Sequence, residues 1–493
     1  MNALKNLEPE LNKFFGSESA MSLILAGAPG SGKTTFALQI LDTFKDKYKG
    51  IYLSTRVSDE SLYQHFPWLK EIDKKTKIID ASRLFLDSLI TLEAETVPEH
   101  VESARALVRN IYGEGPIKVP RILYNKYFKD KNIPELKRIY SDVENNLPNR
   151  SIIVIDSLEG LANKYNINEE DLVFTLVKDL VEGGNTDIIF VLEKSRSYML
   201  EYIVDGVIVL DQDLYEGRRV RSLSLEKLRG ISTKFKKYLI TLNDGKFYIF
   251  SQKTDFDLSK HFVPPTTTND GMFSTSLKDL DTILGGGFRR GSFNLIEFGE
   301  NVGTELHFLM MPIVSNIGYA DRGLLAVLTL GTSIQEVKSR YSYFLNDKSI
   351  VETHARFIDY SRSSTDKDYI IPLAGNTSET SIRLIQEGID KLRKLGSPLF
   401  YYLGFDTIEK YRGPVAIQEA VNFINSIIDN KDIGIGVLLQ GIKIKDQIVN
   451  MASTHVKIVS INNTLCLYGI EPKTNLYVIE TDNNNLYKLV PIL

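Results

Sequence analysis

The eight residues "GAPGSGKT", Gly27 to Thr34, constrain this chain most, because they follow directly on the apolar run "SLILA". A β-like run feeding G-x-x-x-x-G-K-[ST] is the layout of a P-loop. Gly27, Gly30 and Gly32 let backbone N–H groups turn inward around phosphate oxygens without a Cβ clash. Lys33 would then reach the β- and γ-phosphates, and the Thr34 hydroxyl would face Mg²⁺. The following helix would point its positive end at the anion. In "TFALQILDTF" the spacing of Phe36, Leu38, Ile40, Leu41 and Phe44 predicts that this helix is packed. The candidate ATP contacts are Gly27, Ala28, Pro29, Gly30, Ser31, Gly32, Lys33, Thr34 and Thr35.

The rest of the first half supplies the sheet that such a loop needs. "SLILAGA", "GIYLST", "KIIDAS", "SIIVIDS", "DIIFVLE" and "DGVIVLD" are near-continuous apolar runs separated by helix-like segments. That pattern predicts a buried parallel sheet flanked by helices. "SIIVIDS" places Asp156 at the C-terminal end of a strand, where a P-loop protein needs a carboxylate facing Mg²⁺. An acid in that place often serves only to turn the chain, but the P-loop upstream favours the metal role. "RRVRSLSLEKL" and "KFKKYLITL" lie close together, as antiparallel edge strands would. Lys227 and Arg229 are two apart, so a strand would put them on one face, where a solvated edge is the bland explanation. Residues 83–149 show helix-like spacing and suit either a helical insertion or an ordinary flanking layer.

At 493 residues the chain is too long for one ordinary domain. A Pro- and Thr-rich stretch, "FVPPTTTNDG", marks a linker at 256–271 between domains at 1–255 and 272–493. The second half then replays the first, through "SFNLIEFGE", "GLLAVLTLG", "LFYYLGFD", "GIGVLLQG", "HVKIVSI" and "LYVIET". Its P-loop counterpart, "LIEFGENVGTELH", is incomplete. Matching Gly303 to Gly32 puts Phe298, Asn301, Thr304 and Glu305 opposite Gly27, Gly30, Lys33 and Thr34. The glycine-dependent turn is expected to be lost, and Glu305 would repel phosphate. An acid persists in "YYLGFDT", where Asp406 is expected to end the strand, while the basic pair has gone near Gly469 and Glu471. The second half is expected to be non-hydrolytic.

Composition narrows the partners. A net charge of -4 gives no global attraction to nucleic acid or anionic membrane, and "KEIDKKTK" and "STKFKK" read as solvated faces. One cysteine, Cys466, and six scattered histidines suggest neither a disulfide nor a structural metal site. No apolar run approaches the ~18 residues of a membrane span. "MNALKNLEPELNKFF" lacks the apolar centre of a signal peptide, so a cytoplasmic protein is expected.

Taken in order, "GAPGSGKTT", "VIDS" and "DGVIVLDQDLYEGRRVRSLSLEKLRG" resemble the RecA superfamily in its KaiC-like branch. "STSLKDLDTILGGGFRRGS" resembles the entry signature of KaiC-like domains. The whole layout is similar to archaeal GvpD-like proteins, which join an intact P-loop domain to a divergent one and are named for a regulator of gas-vesicle genes. The resemblance implies an α/β fold of two tandem RecA-like P-loop domains, each a mostly parallel sheet flanked by helices with antiparallel edge strands. It implies ATP and Mg²⁺ as ligands, with Thr34 and Asp156 at the metal. Lys33, Asp156, Lys227 and Arg229 become the catalytic set, the last two reaching a neighbour's γ-phosphate in a homo-oligomer, either a dimer or a hexameric ring.

One departure weakens catalysis. Relatives follow the second strand with adjacent carboxylates that activate water, whereas "GIYLSTRVSDE" has Arg56 and Val57 there. Neither side chain accepts a proton at neutral pH, and Asp59 and Glu60 would need a different loop path. Hydrolysis is therefore expected to be slow. An ATP-dependent regulator with a protein partner is the leading expectation, ahead of a DNA-recombination or repair ATPase of the RecA type and an autokinase.

Overall fold

A computed structural model describes residues 4–72, 76–81, 83–84, 119–128, 131–193, 198–243, 245–252, 271–302, 310, 323–341, 349–395, 398–481 and 487–493. The chain divides into two compact units, Met1–Phe250 with Leu493, and Ser251–Ile492.

The first unit is built on nine strands: β1 (Ser22–Gly27), β2 (Lys49–Ser54), β3 (Thr76–Asp80), β4 (Ser151–Asp156), β5 (Thr186–Val191), β6 (Gly206–Tyr215), β7 (Arg218–Leu228), β8 (Lys237–Asn243) and β9 (Lys246–Ile249). They lie in the order β3-β2-β4-β5-β1-β6-β7-β8-β9. Pairing is parallel as far as β6 and antiparallel from β6 to β9. Every residue of β1 and β5 is buried, as befits central strands covered on both faces.

Strand alternation deals successive side chains to two cores. Ile24, Ile153, Ile155, Ile188 and Phe190 face one core, with Leu136, Ile139 and Val143 of the helix Pro134–Glu144. Leu23, Leu25, Val154, Ile189 and Val191 face the other, with Phe36, Leu38, Ile40, Leu41 and Phe44 of the helix Lys33–Phe44. Burying each large apolar side chain stabilises the unit by about 1.5–3 kcal/mol. The β8–β9 hairpin folds over that helix, packing Phe247 against Phe36 with ring centroids 4.7 Å apart and the rings tilted by 41°. The Phe247 N–H also donates to the buried Gln39 side chain. Of the region 83–149, the helices Ile122–Tyr127 and Pro134–Glu144 are seen packing on the core, and 85–118 lies outside the described residues.

The second unit repeats this plan. A short pair, β10 (Met272–Phe273) and β11 (Phe288–Arg289), precedes the main sheet. Its strands are β12 (Ser292–Phe298), β13 (Gly323–Val327), β14 (Ala355–Asp359), β15 (Ile370–Pro372), β16 (Leu399–Gly404), β17 (Ile433–Leu438), β18 (Thr454–Ile461), β19 (Thr464–Glu471), β20 (Tyr477–Thr481) and β21 (Tyr487–Pro491). The order is β15-β14-β13-β16-β17-β12-β18-β19-β20-β21. Apart from the added edge strand β15, this is the first sheet's order, with β12 in the place of β1. Both sheets carry the same irregularity: the register shifts between Val207 and Ile208 in the first and between His455 and Val456 in the second. The expected fold of two tandem, mostly parallel sheets with antiparallel edges is the fold observed.

Candidate functional site

The glycine loop leaves β1 at the C-terminal edge of the first sheet. Gly27, Gly30 and Gly32 have φ of 153°, 76° and 100°. A Cβ on Gly27 would lie 2.4 Å from the Leu210 carbonyl oxygen, and one on Gly32 would lie 2.9 Å from Leu242. Gly27 therefore needs glycine for space, because it meets fixed backbone, as well as for backbone angle, whereas Gly32 needs it for its angle. Ala28, Pro29 and Gly30 sit exposed at the rim, whereas Ser31, Lys33 and Thr35 are buried. Lys33 Nζ donates to the carbonyl oxygens of Gly27 at 2.6 Å and Ala28 at 3.0 Å. Arg221, on β7, braces the loop from outside by donating to the Gly30 carbonyl at 2.7 Å.

Beside the loop, β4 delivers Asp156. Its Oδ2 accepts from Thr34 Oγ1 at 2.7 Å and from Tyr52 OH at 2.6 Å. Burial pushes the Asp156 carboxyl up, while the two hydrogen bonds and the Lys33 charge act against that. Burial likewise pulls the Lys33 ammonium down, against the charges of Asp156, Glu193 and Glu159. Tyr52 is raised well above its ordinary value by burial and by the Asp156 charge, so its hydroxyl stays a donor. Thr34 and Asp156 thus converge as an oxygen-only pair. That pair suits Mg²⁺, which takes one or two protein oxygens and fills its octahedron with phosphates and water.

Two further acids close the site, and neither was singled out from the sequence. Glu193 lies two residues beyond Val191, which pairs with Leu25 of β1 on one side and Asp156 of β4 on the other. Its N–H donates to Glu159 Oε1 at 2.8 Å, and Glu159 is buried in the first turn of the helix Leu158–Lys164. The Glu193 carboxylate forms an ion pair with Arg56. Arg56 is carried there by Thr55, whose N–H donates to the Asp156 carbonyl at 2.8 Å and whose Oγ1 accepts from Ser157 N at 2.9 Å. A signal for Glu193 was present: it ends "DIIFVLE" as Asp156 ends "SIIVID". Asp59 and Glu60 lie instead in the first turn of the helix Asp59–His65, with Asp59 within 3.8 Å of Arg83.

Lys227 and Arg229 lie toward the other end of the sheet. Lys227 pairs with Val207, three residues back from Leu210, which pairs with Gly27. At about 3.3 Å per residue that is ~10 Å along the strand from the chain's own loop. Lys227 Nζ donates to the carbonyl oxygens of Glu201 at 2.8 Å and Val204 at 2.6 Å. Arg229 lies one residue beyond the end of β7, where its N–H still donates to the Asp205 carbonyl at 2.9 Å, and its guanidinium pairs with the Asp205 carboxylate at 2.7 Å.

Because the two sheets share order and register, their sites can be compared position by position. Asp156 pairs with Val191, which pairs with Leu25; in the second unit Gly404 pairs with Val437, which pairs with Ile296. The counterpart of Asp156 is therefore Gly404. Asp406 does not end the strand as expected but enters the next helix, where its Oδ2 accepts from the Leu330 N–H at 2.7 Å. By the same counting, Glu193 corresponds to Leu439 and Arg56 to Leu330. Lys227, opposite Val207, corresponds to Glu471, opposite His455, and two residues on Arg229 corresponds to Lys473. One basic residue of the pair is reversed in charge and the other is kept. The turn is partly retained as well, since Asn301 has φ 62° where Gly30 has 76°. Gly303, Thr304 and Glu305 lie outside the described residues.

Comparison with known proteins adds to this geometry. Residues 9–254 match a family model described as "ATPase: KaiC". The chain is similar to Protein GvpD2 of Halobacterium salinarum, 26% identical over 498 aligned positions that cover 96% of this chain and 93% of that protein. It is 27% identical to Protein GvpD1 of the same organism over 330 positions, 64% of this chain and 55% of that protein. It is 25% identical to the circadian clock oscillator protein KaiC of Prochlorococcus marinus over 309 positions, 59% of this chain and 52% of that protein. Among the described residues, no helix is long and apolar enough to cross a membrane.

Proposed function

The first half of this chain, residues 9–254, belongs to the KaiC ATPase family, and from that premise we propose that the protein is an ATP-dependent regulator. In this reading the domain at 1–255 binds ATP with Mg²⁺ and hydrolyses it slowly. The domain at 272–493, joined by the linker at 256–271, is non-hydrolytic and serves assembly or the binding of a protein partner. The protein works in the cytoplasm as a homo-oligomer.

The observation that carries this reading is the asymmetry of two sheets built to one plan. At matched positions the first keeps Asp156, Glu193 and Arg56, and the second has Gly404, Leu439 and Leu330. An edge without those charges has little with which to stabilise a transferring phosphoryl group. A protein that retains one working edge of two suits switching better than rapid turnover.

Within the first domain the residues have distinct tasks. The loop N–H groups from Gly27 to Thr35 enclose the phosphates, and Lys33 exchanges its bonds to the loop carbonyls for phosphate oxygens. Thr34 and Asp156 hold the metal, with Tyr52 orienting the carboxylate through its 2.6 Å bond. Bound there, Mg²⁺ would neutralise charge on the β- and γ-phosphates. Lys227 and Arg229, distant from their own loop, act on the neighbour's nucleotide, which makes turnover depend on assembly.

The test is mass measurement of the full chain with and without ATP–Mg²⁺, with fluorescent ATP binding and phosphate release followed in the same samples. The wild type is expected to bind ATP and to gain mass with it, and Lys33→Ala to lose binding. Equal binding by Lys33→Ala would sink the proposal. Salt-dependent DNA binding that stimulates turnover would move the protein to the recombination class.

A further inference from the structure

We propose that Glu193 takes the proton of the attacking water, replacing the acids that Arg56 and Val57 displace, and that Arg56 restrains it. This rests on the reading that the first unit binds ATP.

Position comes first. Glu193 emerges from β5, the strand lying between the glycine-loop strand β1 and the Asp156 strand β4. It therefore stands on the sheet edge between the phosphate cradle and the candidate metal ligand. Its backbone is fixed by the 2.8 Å bond to the buried Glu159, so its side chain starts from a defined point. Lys33 senses the carboxylate charge of Glu193 alongside that of Asp156. The Arg56 backbone is anchored as well, because the preceding Thr55 is bonded to both Asp156 and Ser157, and its exposed side chain reaches Glu193 from there.

The second unit separates a catalytic role from a structural one. Had the Arg56–Glu193 pair served the sheet, a sheet of the same order and register would be expected to keep a polar pair there. Both counterparts are leucines, Leu330 and Leu439, in the unit where Gly404 replaces Asp156. The pair has gone together with the phosphate-handling groups, while the scaffold has stayed.

The chemistry balances without any further reagent. The water oxygen bonds to the γ-phosphorus as the bond from that phosphorus to the β-γ bridging oxygen breaks, and that oxygen leaves with ADP. The water proton passes to a Glu193 carboxylate oxygen and then to the released phosphate. A carboxylate ion-paired with a guanidinium has lone pairs occupied by N–H donors. Arg56 holds Glu193 Oε1, so it competes with water for that oxygen and lowers its pull on a proton, which makes Arg56 a brake on turnover.

The experiment uses the full chain and three variants, Glu193→Gln, Arg56→Gln and the double substitution, with mant-ATP binding and phosphate release measured in parallel. Glu193→Gln should bind like the wild type and release phosphate about 10²-fold more slowly or worse. Arg56→Gln should bind and release phosphate several-fold faster, and the double variant should match Glu193→Gln. A pair that merely braces the fold would slow both single variants, and that result overturns the proposal. Wild-type turnover in Glu193→Gln overturns it too, as does a wild type that binds mant-ATP without releasing phosphate. A wild type that binds no mant-ATP removes the underlying reading and this inference with it.

Discussion

Asp156 receives two hydroxyl donors on one oxygen, from Thr34 and Tyr52, and this sets what a substitution there should do. Asparagine preserves the shape but removes the charge that a divalent cation needs. Asp156→Asn should therefore bind ATP equally with Mg²⁺ or with EDTA, whereas the wild type should bind more tightly with Mg²⁺, as titration calorimetry would record. Gly160 offers a structural counterpart, since a Cβ there would lie 2.3 Å from Thr55 Oγ1. Gly160→Ala should push the Thr55 loop off the Asp156 edge and lower stability by about 1–3 kcal/mol in urea unfolding. At this scale the glycine loop and Asp156 were legible because a G-x-x-x-x-G-K-[ST] run and an acid closing an apolar run stand out in the sequence. Arg56 stood out only as the place of a missing acid, and Tyr52 and Glu193 were not legible, because they are far apart in sequence and meet at Asp156 only when β2, β4 and β5 lie side by side.

Strands were the most legible elements, since a buried parallel strand shows as a short apolar run. β14, "ARFID", was passed over because it begins with an arginine-interrupted run and sits near the sheet edge. Asp406 was misplaced for a related reason: "LFYYLGFD" does not reveal that the strand stops at Gly404 and a helix begins. Within the second sheet, β12 also carries a buried acid, Glu297, bonded to His455 at 3.0 Å and Lys445 at 2.5 Å. Burial alone would raise this carboxyl, but those bonds and the Lys457 charge outweigh it and hold it at about 2. A depressed carboxyl contributes stability above its unfolded value near 4.5, which is lost as pH falls toward 2. Glu297→Gln should thus destabilise the protein at neutral pH and flatten the fall in stability between those limits, seen by thermal unfolding across acid pH.

At the scale of the molecule, assembly is the expectation most open to direct attack. Lys227 and Arg229 lie toward the far end of their own sheet, and the proposed role has them serve a nucleotide bound by another copy. Lys33→Ala and Arg229→Ala should each lose most turnover alone, and mixing them should restore part of it. In the mixture, an intact loop can sit beside an intact finger. No recovery on mixing, with both variants folded, would show that the fingers have no such role. The doubled layout could be read from the order of apolar runs, but the matching of position to position needed the sheet registers.

The register shift common to both sheets says something about descent. Any sheet can converge on regular alternation, because packing rewards it, but nothing in packing alone asks for a misstep at the same pair of strands. Val207/Ile208 and His455/Val456 carry that misstep in common, although Lys227 has become Glu471 beside it. A shared irregularity behaves like a copying error preserved in two manuscripts. It marks the halves as siblings, built from one ancestral sheet.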